Sequence, residues 1–317
     1  MYICLCIVTR ITGTIKAEKE RKDEGMHYTG TLYRNPYEPP SPLLEITQGC
    51  THNRCRFCTM YKDVPFKPSP IEWIEEDLAE IASYQPHTTR LQLIGADPFC
   101  LSFERLDQIC DLVHKYLPDV KIMTMAARVT NVRNKTIEQL RILREKGMSE
   151  VNLGVESGDD WTLNMIEKGY EARDIIEQCH KLDEAGISYW MTFLNGVAGK
   201  EHSYEHALHS AEIFSQWHPS VVGTGGLTLF PGTPLLKDAQ EGKFSPLSEK
   251  EMLEELRVFV QNLTCDCFFI THHTSSANLS GPDFLARKQE ILKQIDNVIN
   301  HGNLDYLARL RSRKQTL

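Results

Sequence analysis

Residues 50–58 read Cys50-Thr51-His52-Asn53-Arg54-Cys55-Arg56-Phe57-Cys58 and place three thiols at the spacing C-x4-C-x2-C. The apolar run before them, residues 43–47, predicts a β-strand, and Gln48-Gly49 supplies a turn after it. Three thiolates rarely complete a structural zinc site and cannot close a disulfide set among themselves. They suit a [4Fe–4S] cluster bound through three of its irons, with the fourth open to a ligand that is not protein. We therefore predict that Cys50, Cys55 and Cys58 ligate such a cluster.

A zinc site is the alternative interpretation of the same thiols. Three cysteines and one histidine, either His52 or a more distant one, would complete a tetrahedral site. The chain would then be a zinc-stabilised protein that binds or modifies RNA. Its 35 basic and 43 acidic residues give a formal charge of −8, and no basic and aromatic stripe is present, so the sequence argues against a nucleic-acid partner.

The composition also bears on where the protein works. No apolar run approaches the roughly 18–20 residues that a membrane-spanning helix needs, so we expect a soluble chain without a membrane partner. The 10 cysteines are unevenly distributed, which favours a reducing cytoplasm over a disulfide scaffold. Cys265 and Cys267 allow two interpretations, an auxiliary metal site or buried free thiols, and we take buried thiols as the default.

From Leu43 onward, predicted strands and helices alternate in about six βα units, which implies parallel strands joined by right-handed crossovers. Residues 26–247 are expected to form this α/β core, and residues 248–317 a C-terminal extension of two or three helices around an irregular stretch between Thr264 and Pro282. Residues 1–25 include a charged run without apolar periodicity and are predicted to be a poorly structured extension. Met26 is then a second candidate for the start of the chain.

The cysteine stretch resembles the cluster loop of the radical S-adenosylmethionine (radical SAM) enzymes, in which an aromatic residue, here Phe57, precedes the last cysteine. The usual spacing there is C-x3-C-x2-C. The longer first gap and the flanking residues 47–50 and 58–62 are similar to an uncharacterised bacterial branch of the superfamily. More distantly, the chain resembles oxygen-independent coproporphyrinogen oxidase and the elongator-type radical SAM proteins.

This resemblance implies a partial (β/α)6 barrel of the TIM type that binds a [4Fe–4S] cluster and S-adenosylmethionine. Reductive cleavage of S-adenosylmethionine would yield a 5′-deoxyadenosyl radical that abstracts hydrogen from a small-molecule substrate. The partners it implies are that substrate and an electron donor such as flavodoxin or ferredoxin. The final reaction and the substrate do not follow from the sequence.

The resemblance also assigns residues at the ends of the strands to the cofactor. Gly95 and Asp97 occupy the motif that holds the methionine amino group, in an altered form of the usual Gly-Gly-Glu. Glu156 lies in a Gly-Val-Glu-Ser-Gly run whose acid reaches the ribose or amino end. Lys168 stands where relatives pair a basic residue with the cofactor carboxylate, although a lone lysine is more commonly a solvated surface residue.

Two further strand ends and a late segment complete the candidates. The resemblance places Asn195 near the ribose and the backbone around Phe230 near the adenine. Arg128, after the third predicted core strand, faces substrate or cofactor, or else bridges to the surface. His272 and His273, with Ser276 and Asn278, are candidates for closing over the substrate.

Overall fold

A computed structural model describes residues 25–34, 38–271 and 279–312. The expected extension at residues 1–25 therefore lies, apart from Gly25, outside the described residues. His272, His273, Ser276 and Asn278 lie outside them as well.

The described residues form nine strands and eleven α-helices. The strands are β1 (Leu43–Glu45), β2 (Thr47–Gln48), β3 (Lys67–Pro68), β4 (Arg90–Ile94), β5 (Ile122–Ala127), β6 (Met148–Glu156), β7 (Ser188–Asn195), β8 (Val221–Gly226) and β9 (Phe268–Ile270). The helices are α1 (Ile71–Tyr84), α2 (Phe103–Tyr116), α3 (Val129–Arg133), α4 (Ile137–Glu145), α5 (Asp160–Met165), α6 (Ala172–Ala185), α7 (Ser203–Phe214), α8 (Pro234–Gln240), α9 (Glu249–Asn262), α10 (Phe284–His301) and α11 (Leu304–Ser312).

Seven strands form one parallel sheet in the order β1-β4-β5-β6-β7-β8-β9. The expected α/β class with parallel strands is confirmed. Strands β2 and β3 make a separate antiparallel pair at the entrance to the cysteine stretch. Since all seven strands run the same way, their carboxyl ends meet at one rim, where folds of this kind carry their sites.

The sheet contains one strand more than the six that the βα units predict. Strand β9 pairs in parallel with β8, Val221 opposite Phe268, although its residues were expected to be irregular. β9 has three residues, as β1 does, but no motif follows it to mark a strand end, so only its pairing with β8 reveals it. Helices α9, α10 and α11 provide the three C-terminal helices, but β9 belongs to the same sheet as the core.

Alternation along the strands separates the two faces of the sheet. Leu91 and Leu93 of β4 and Met123 and Met125 of β5 are fully buried in the main apolar core, which includes residues of the surrounding helices. Burying a side chain of this kind contributes about 1.5–3 kcal/mol. Gln92, between two of these residues, therefore points to the opposite face of the sheet, where it is also buried. None of the described helices is long and apolar enough to cross a membrane.

A segment before the first strand covers the open edge of the sheet at β1. Tyr28 donates from its hydroxyl to the carbonyl of Leu43 at 3.0 Å, and the backbone of Thr29 donates to Glu45 at 3.2 Å. The backbone of His27 donates to Asp77 of α1 at 2.9 Å. Residues 27–29 are thus bonded to both β1 and the helix that follows it.

Candidate functional site

The cysteine loop, residues 50–58, follows β2 directly and turns at Asn53. Asn53 adopts a left-handed conformation with φ +47, which asparagine tolerates better than most residues. Its backbone N–H donates to the sulfur of Cys50 at 3.4 Å, and its side chain donates to the carbonyl of Tyr61 at 2.8 Å. Lys62 donates to the carbonyl of Asn53 at 2.9 Å. The longer first gap is therefore folded into a turn that is bonded on both sides.

The three thiols are free and partly buried in this loop. Burial raises the pKa of Cys50 and of Cys58, and the neighbouring Cys55 raises that of Cys58 further. Thiols must lose their protons to ligate a metal, so binding would release protons here. The ring of Phe57 is buried in an apolar cluster that Cys55 and Cys58 contact. Within the described residues the three thiols are not drawn together into a formed metal site, but their chemistry, three soft sulfur donors in one sheltered loop, suits an iron–sulfur cluster.

The segment 165–169 supports the cysteine loop from the side. Four consecutive carbonyl groups in it accept hydrogen bonds from the loop or from Arg128. The bonds are Arg56 Nη1 to Met165 at 3.1 Å, Arg56 N to Ile166 at 3.1 Å, His52 Nε2 to Glu167 at 2.6 Å and Arg128 Nη2 to Lys168 at 2.6 Å. Met165 ends α5, and the carbonyls of the last turn of a helix have no partner within the helix, so they are available to the cysteine loop. Glu167 and Gly169, which both have positive φ, then turn the chain away from the helix axis. The sequence carries no periodic signal for such a support.

The ring of His52 packs against Gly169 of the segment 165–169. A Cβ placed on Gly169, whose φ is +80, would lie 2.7 Å from Cε1 of His52. Burial lowers the pKa of His52, and its Nε2 donates to the carbonyl of Glu167, since a carbonyl can only accept. This bond uses one of the two ring nitrogens, and a histidine that ligates a metal commonly donates its other N–H to a carbonyl in the same way.

The predicted acid and base lie against each other. Lys168 Nζ is 3.2 Å from Oε1 of Glu156, and Thr192 donates to the other carboxylate oxygen at 3.2 Å. Lys168 is only 5% exposed. Burial alone would lower the pKa of Lys168, but the charge of Glu156 outweighs it and the pKa is raised. Glu156 holds a left-handed backbone with φ +70, which costs about 1–2 kcal/mol in a residue with a Cβ and marks an imposed geometry.

Asp97 ties the rim of the sheet to the cysteine loop. The hydroxyl of Thr51 donates to Asp97, and the Thr51 backbone donates to it at 3.4 Å. Asp97 is fully buried, and burial raises its pKa. Gly95, two residues earlier, has φ +143 and lies against Thr47. The altered Gly-Ala-Asp motif therefore stands beside the thiols.

Arg128 also lies at the rim, where its Nη2 reaches the carbonyl of Lys168. Its backbone N–H donates to Oδ1 of Asn131 at 2.6 Å, which begins α3. Within the described part of the chain, its buried Nε has no hydrogen-bond partner. Arg128 thus lies on the side of the site that faces the cysteine loop, although its predicted contact with substrate stays a prediction.

Asn195 is bonded to α9, and Phe230 is bonded to Thr233, the residue before α8. Asn195 is fully buried and donates to Oε2 of Glu255 at 2.6 Å and to the carbonyl of Met252 at 3.1 Å. Phe230 is buried, and its carbonyl accepts from the hydroxyl of Thr233 at 2.8 Å. The amide nitrogen of Asn195 is thus bonded to α9, while its Oδ1 has no partner among the described residues.

Glu255 is a residue that the sequence did not single out. It is buried on α9, accepts from the backbone of Gly196, and lies 3.0 Å from Nδ1 of His206, which is fully buried on α7. A glutamate on a helix rich in charged residues is ordinarily solvated, so no sequence signal marks it. The contact joins the C-terminal helices to the carboxyl end of β7.

Comparisons with known proteins bear on the family and the fold of the chain. A sequence profile described as the Radical SAM superfamily matches residues 44–214. The chain is 25% identical over 170 residues to the heme chaperone HemW of Bacillus subtilis, covering 53% of this chain and 44% of that protein. It is 22% identical over 198 residues to the uncharacterized protein YtqA of the same organism, covering 59% and 58%. The chain thus spans about half the length of these curated relatives.

Among solved structures, the radical S-adenosylmethionine methyltransferase TsrM from Kitasatospora setae, with cobalamin and a [4Fe–4S] cluster bound, is similar in fold. It superposes with a TM-score of 0.53 at 20% identity, covering 63% of this chain and 37% of that one. The same enzyme is also known with tryptophan substrate and an S-adenosylmethionine analogue bound. Because the family profile covers more than half of the sequence, the chain belongs to the radical SAM superfamily, whose cofactors are a [4Fe–4S] cluster and S-adenosylmethionine.

Proposed function

We propose that this chain is a radical SAM enzyme that holds a [4Fe–4S] cluster through Cys50, Cys55 and Cys58 and acts on a small-molecule substrate. The observation that carries the proposal is the position of three free thiols beside the carboxyl ends of seven parallel strands, next to the buried pair Glu156–Lys168. The bound cluster would supply one electron that cleaves S-adenosylmethionine to a 5′-deoxyadenosyl radical, which abstracts hydrogen from the substrate.

The residues around the loop would bind and orient the cofactor. The methionine end of S-adenosylmethionine carries one ammonium and one carboxylate group, the same two charges as the pair Lys168–Glu156. Lys168 can therefore exchange Glu156 for the cofactor carboxylate, and Glu156 can exchange Lys168 for the cofactor ammonium. Neither buried charge is then left uncompensated. Asp97, which is bonded to Thr51 of the cysteine loop, and Gly95 are proposed to contact the amino group. Asn195 and the backbone near Phe230 are proposed to line the ribose and the adenine.

Two proposed roles concern partners. The substrate is a small molecule held near Arg128, and the electron is delivered by a small redox protein such as flavodoxin or ferredoxin. The support for the second role is chemical, because a cluster that is used repeatedly must be reduced again after each cleavage.

The test is anaerobic reconstitution of the chain with iron and sulfide, followed by reduction in the presence of S-adenosylmethionine. The expected product is brown protein with about four irons per chain, which releases 5′-deoxyadenosine measured by mass spectrometry. A colourless protein with one bound zinc and no 5′-deoxyadenosine would refute the proposal and favour the zinc interpretation.

A further inference from the structure

A cavity of about 90 Å³ lies beside the cysteine loop, on the side of the sheet edge at β1. We call it the edge pocket. Its walls come from residues 29–33, from Glu45 of β1 and Thr47 of β2, from Met60, Tyr61 and Val64 after the cysteines, and from Gly95 after β4. It also contacts Gly49, the residue before Cys50. The pocket has room for a few water-sized groups, so it suits one end of a molecule rather than a whole one.

The walls of the edge pocket carry a carboxyl group and several hydroxyl groups. Glu45 supplies a carboxyl group, and the side chains of Thr29, Thr31, Thr47 and Tyr33 supply hydroxyl groups. All the lining residues belong to the described part of the chain, and none of them is lysine, arginine or histidine. A pocket with a carboxyl and no basic group disfavours anions and favours a positively charged group.

Glu45 is a buried carboxyl without a counter-charge. It is 6% exposed and accepts hydrogen bonds from the backbone of Thr29 at 3.2 Å and from its hydroxyl at 2.5 Å. Among the described residues, no basic side chain forms an ion pair with it. Burial raises its pKa, the bonds from Thr29 oppose that rise, and nearby Asp77 adds to it. Each carboxylate oxygen can accept more than one bond, so Glu45 keeps acceptor capacity.

Thr47 supplies an independent observation. Its hydroxyl lines the same pocket, is fully buried, and has no hydrogen-bond partner among the described residues. Buried polar groups are ordinarily paired, and those that are not call for a ligand or an ordered water. An ammonium group has three donors and no acceptor, which matches a carboxylate and a hydroxyl oxygen on neighbouring walls.

We propose that the edge pocket recognises a primary ammonium group on the substrate, with Glu45 as its counter-ion and the Thr47 hydroxyl as a second acceptor. The substrate would thus be a small amine, held beside the cysteine loop by its charged end. This inference rests on the proposed function for the identity of the reaction, but the pocket itself can be tested without turnover. The cofactor also carries an ammonium group, so the test distinguishes the two sources.

The experiment is equilibrium dialysis of radiolabelled ethanolamine against the full chain with its reconstituted cluster. Ethylene glycol and glycolate serve as neutral and anionic probes of similar size. We expect the chain to retain ethanolamine and neither of the others. Glu45→Gln should weaken retention at least tenfold and Thr47→Val severalfold, whereas Glu104→Gln, an exposed carboxyl at the start of α2, should have no effect. Thermal unfolding of each variant shows whether it is folded.

Retention of ethanolamine in the presence of saturating S-adenosylmethionine supports the substrate as the source of the ammonium group. Displacement by S-adenosylmethionine would assign the pocket to the cofactor and overturn the inference. It is also overturned if ethanolamine is not retained, if folded Glu45→Gln retains it equally, or if glycolate is retained as well. Iron content and 5′-deoxyadenosine, measured on the same preparations, report on the proposed function separately, because ethanolamine retention requires no cleavage.

Discussion

The ammonium group of Lys168 lies 3.2 Å from a carboxylate oxygen of Glu156. The backbone carbonyl of Lys168 accepts a hydrogen bond from Arg128 at 2.6 Å. One residue thus joins a buried ion pair to the support of the cysteine loop. The carbonyl of the residue before it, Glu167, accepts from His52 of that loop. The ion pair Lys168–Glu156 and the position of the cysteine loop are therefore connected through the segment 165–169.

The buried pair is expected to govern cofactor affinity. Lys168→Ala or Glu156→Ala leaves one buried charge uncompensated, which typically costs about 2–5 kcal/mol, or roughly 30- to several-thousand-fold in affinity. Calorimetric titration of the reconstituted variants with S-adenosylmethionine measures this, with iron content as the check on cluster assembly. The control is Lys115→Ala, which breaks an exposed pair with Glu75 and should change affinity little. Unchanged affinity in both site variants would refute the assignment of this pair.

The three cysteines of the loop are expected to act as one set. Replacing Cys50, Cys55 or Cys58 by Ala should abolish iron retention, because a cubane bound through three irons loses one of its anchors. Cys110→Ala and Cys179→Ala remove thiols that are fully buried in the main core, so iron retention should stay nearly intact. Iron and sulfide are assayed per chain after reconstitution. Full iron content in Cys55→Ala would contradict the ligand assignment.

Gly169 is expected to be needed for the support of the cysteine loop. In Gly169→Ala the new Cβ would lie 2.7 Å from His52, and the positive φ of +80 adds a cost of about 1–2 kcal/mol. Gly242→Ala is the matched control, because Gly242 has a similar φ of +71 but nothing within 4 Å of a Cβ.

Both glycine variants should lose thermal stability, since both pay the backbone cost, whereas only Gly169→Ala should also retain less iron. Melting temperature and iron content are measured on the same preparations. Equal iron retention in the two variants would show that the contact between His52 and the segment 165–169 does not position the loop.

Lys135 is expected to make stability depend on alkaline pH. It is only 2% exposed, its Nζ donates to the carbonyl of Phe99 at 2.8 Å, and it has no carboxylate partner in the described part of the chain. Burial lowers its pKa to about 8. Between that value and its ordinary value of 10.5, the unfolded chain binds a proton that the folded chain has lost, so stability rises with pH across this window.

The measurement compares urea unfolding of the wild-type chain and Lys135→Met at pH 7 and pH 10. From pH 7 to pH 10 the wild-type chain should gain about 2–3 kcal/mol relative to the variant, at 1.36 kcal/mol per pH unit above the lowered pKa. Because other groups titrate equally in both chains, only the difference between them is interpreted. A difference that does not change with pH would refute the lowered pKa.

Much of the fold follows from patterns that are local in the sequence. The alternation of apolar residues in strands such as Ile122–Ala127, and the apolar face of helices such as Phe103–Tyr116, lie within a few residues of each other, so they are legible without a structure. The cysteine spacing is local as well, and one loop holds all three thiols. Strand β9 was missed because its three residues show no period and, unlike the equally short β1, it is not followed by the cysteine motif that marks a strand end.

The sequence by itself determined the parallel α/β class and the three thiols, because spacing and periodicity act over short stretches of chain. Only the tertiary structure decided which distant groups meet. It paired Lys168 with Glu156, set Glu255 of α9 against Asn195 of β7, and enclosed Glu45 and Thr47 behind residues 29–33. These contacts depend on how the strands order themselves in the sheet and on which loops cover its edge. A buried charge or an unpaired hydroxyl is therefore recognised only once the chain around it has packed.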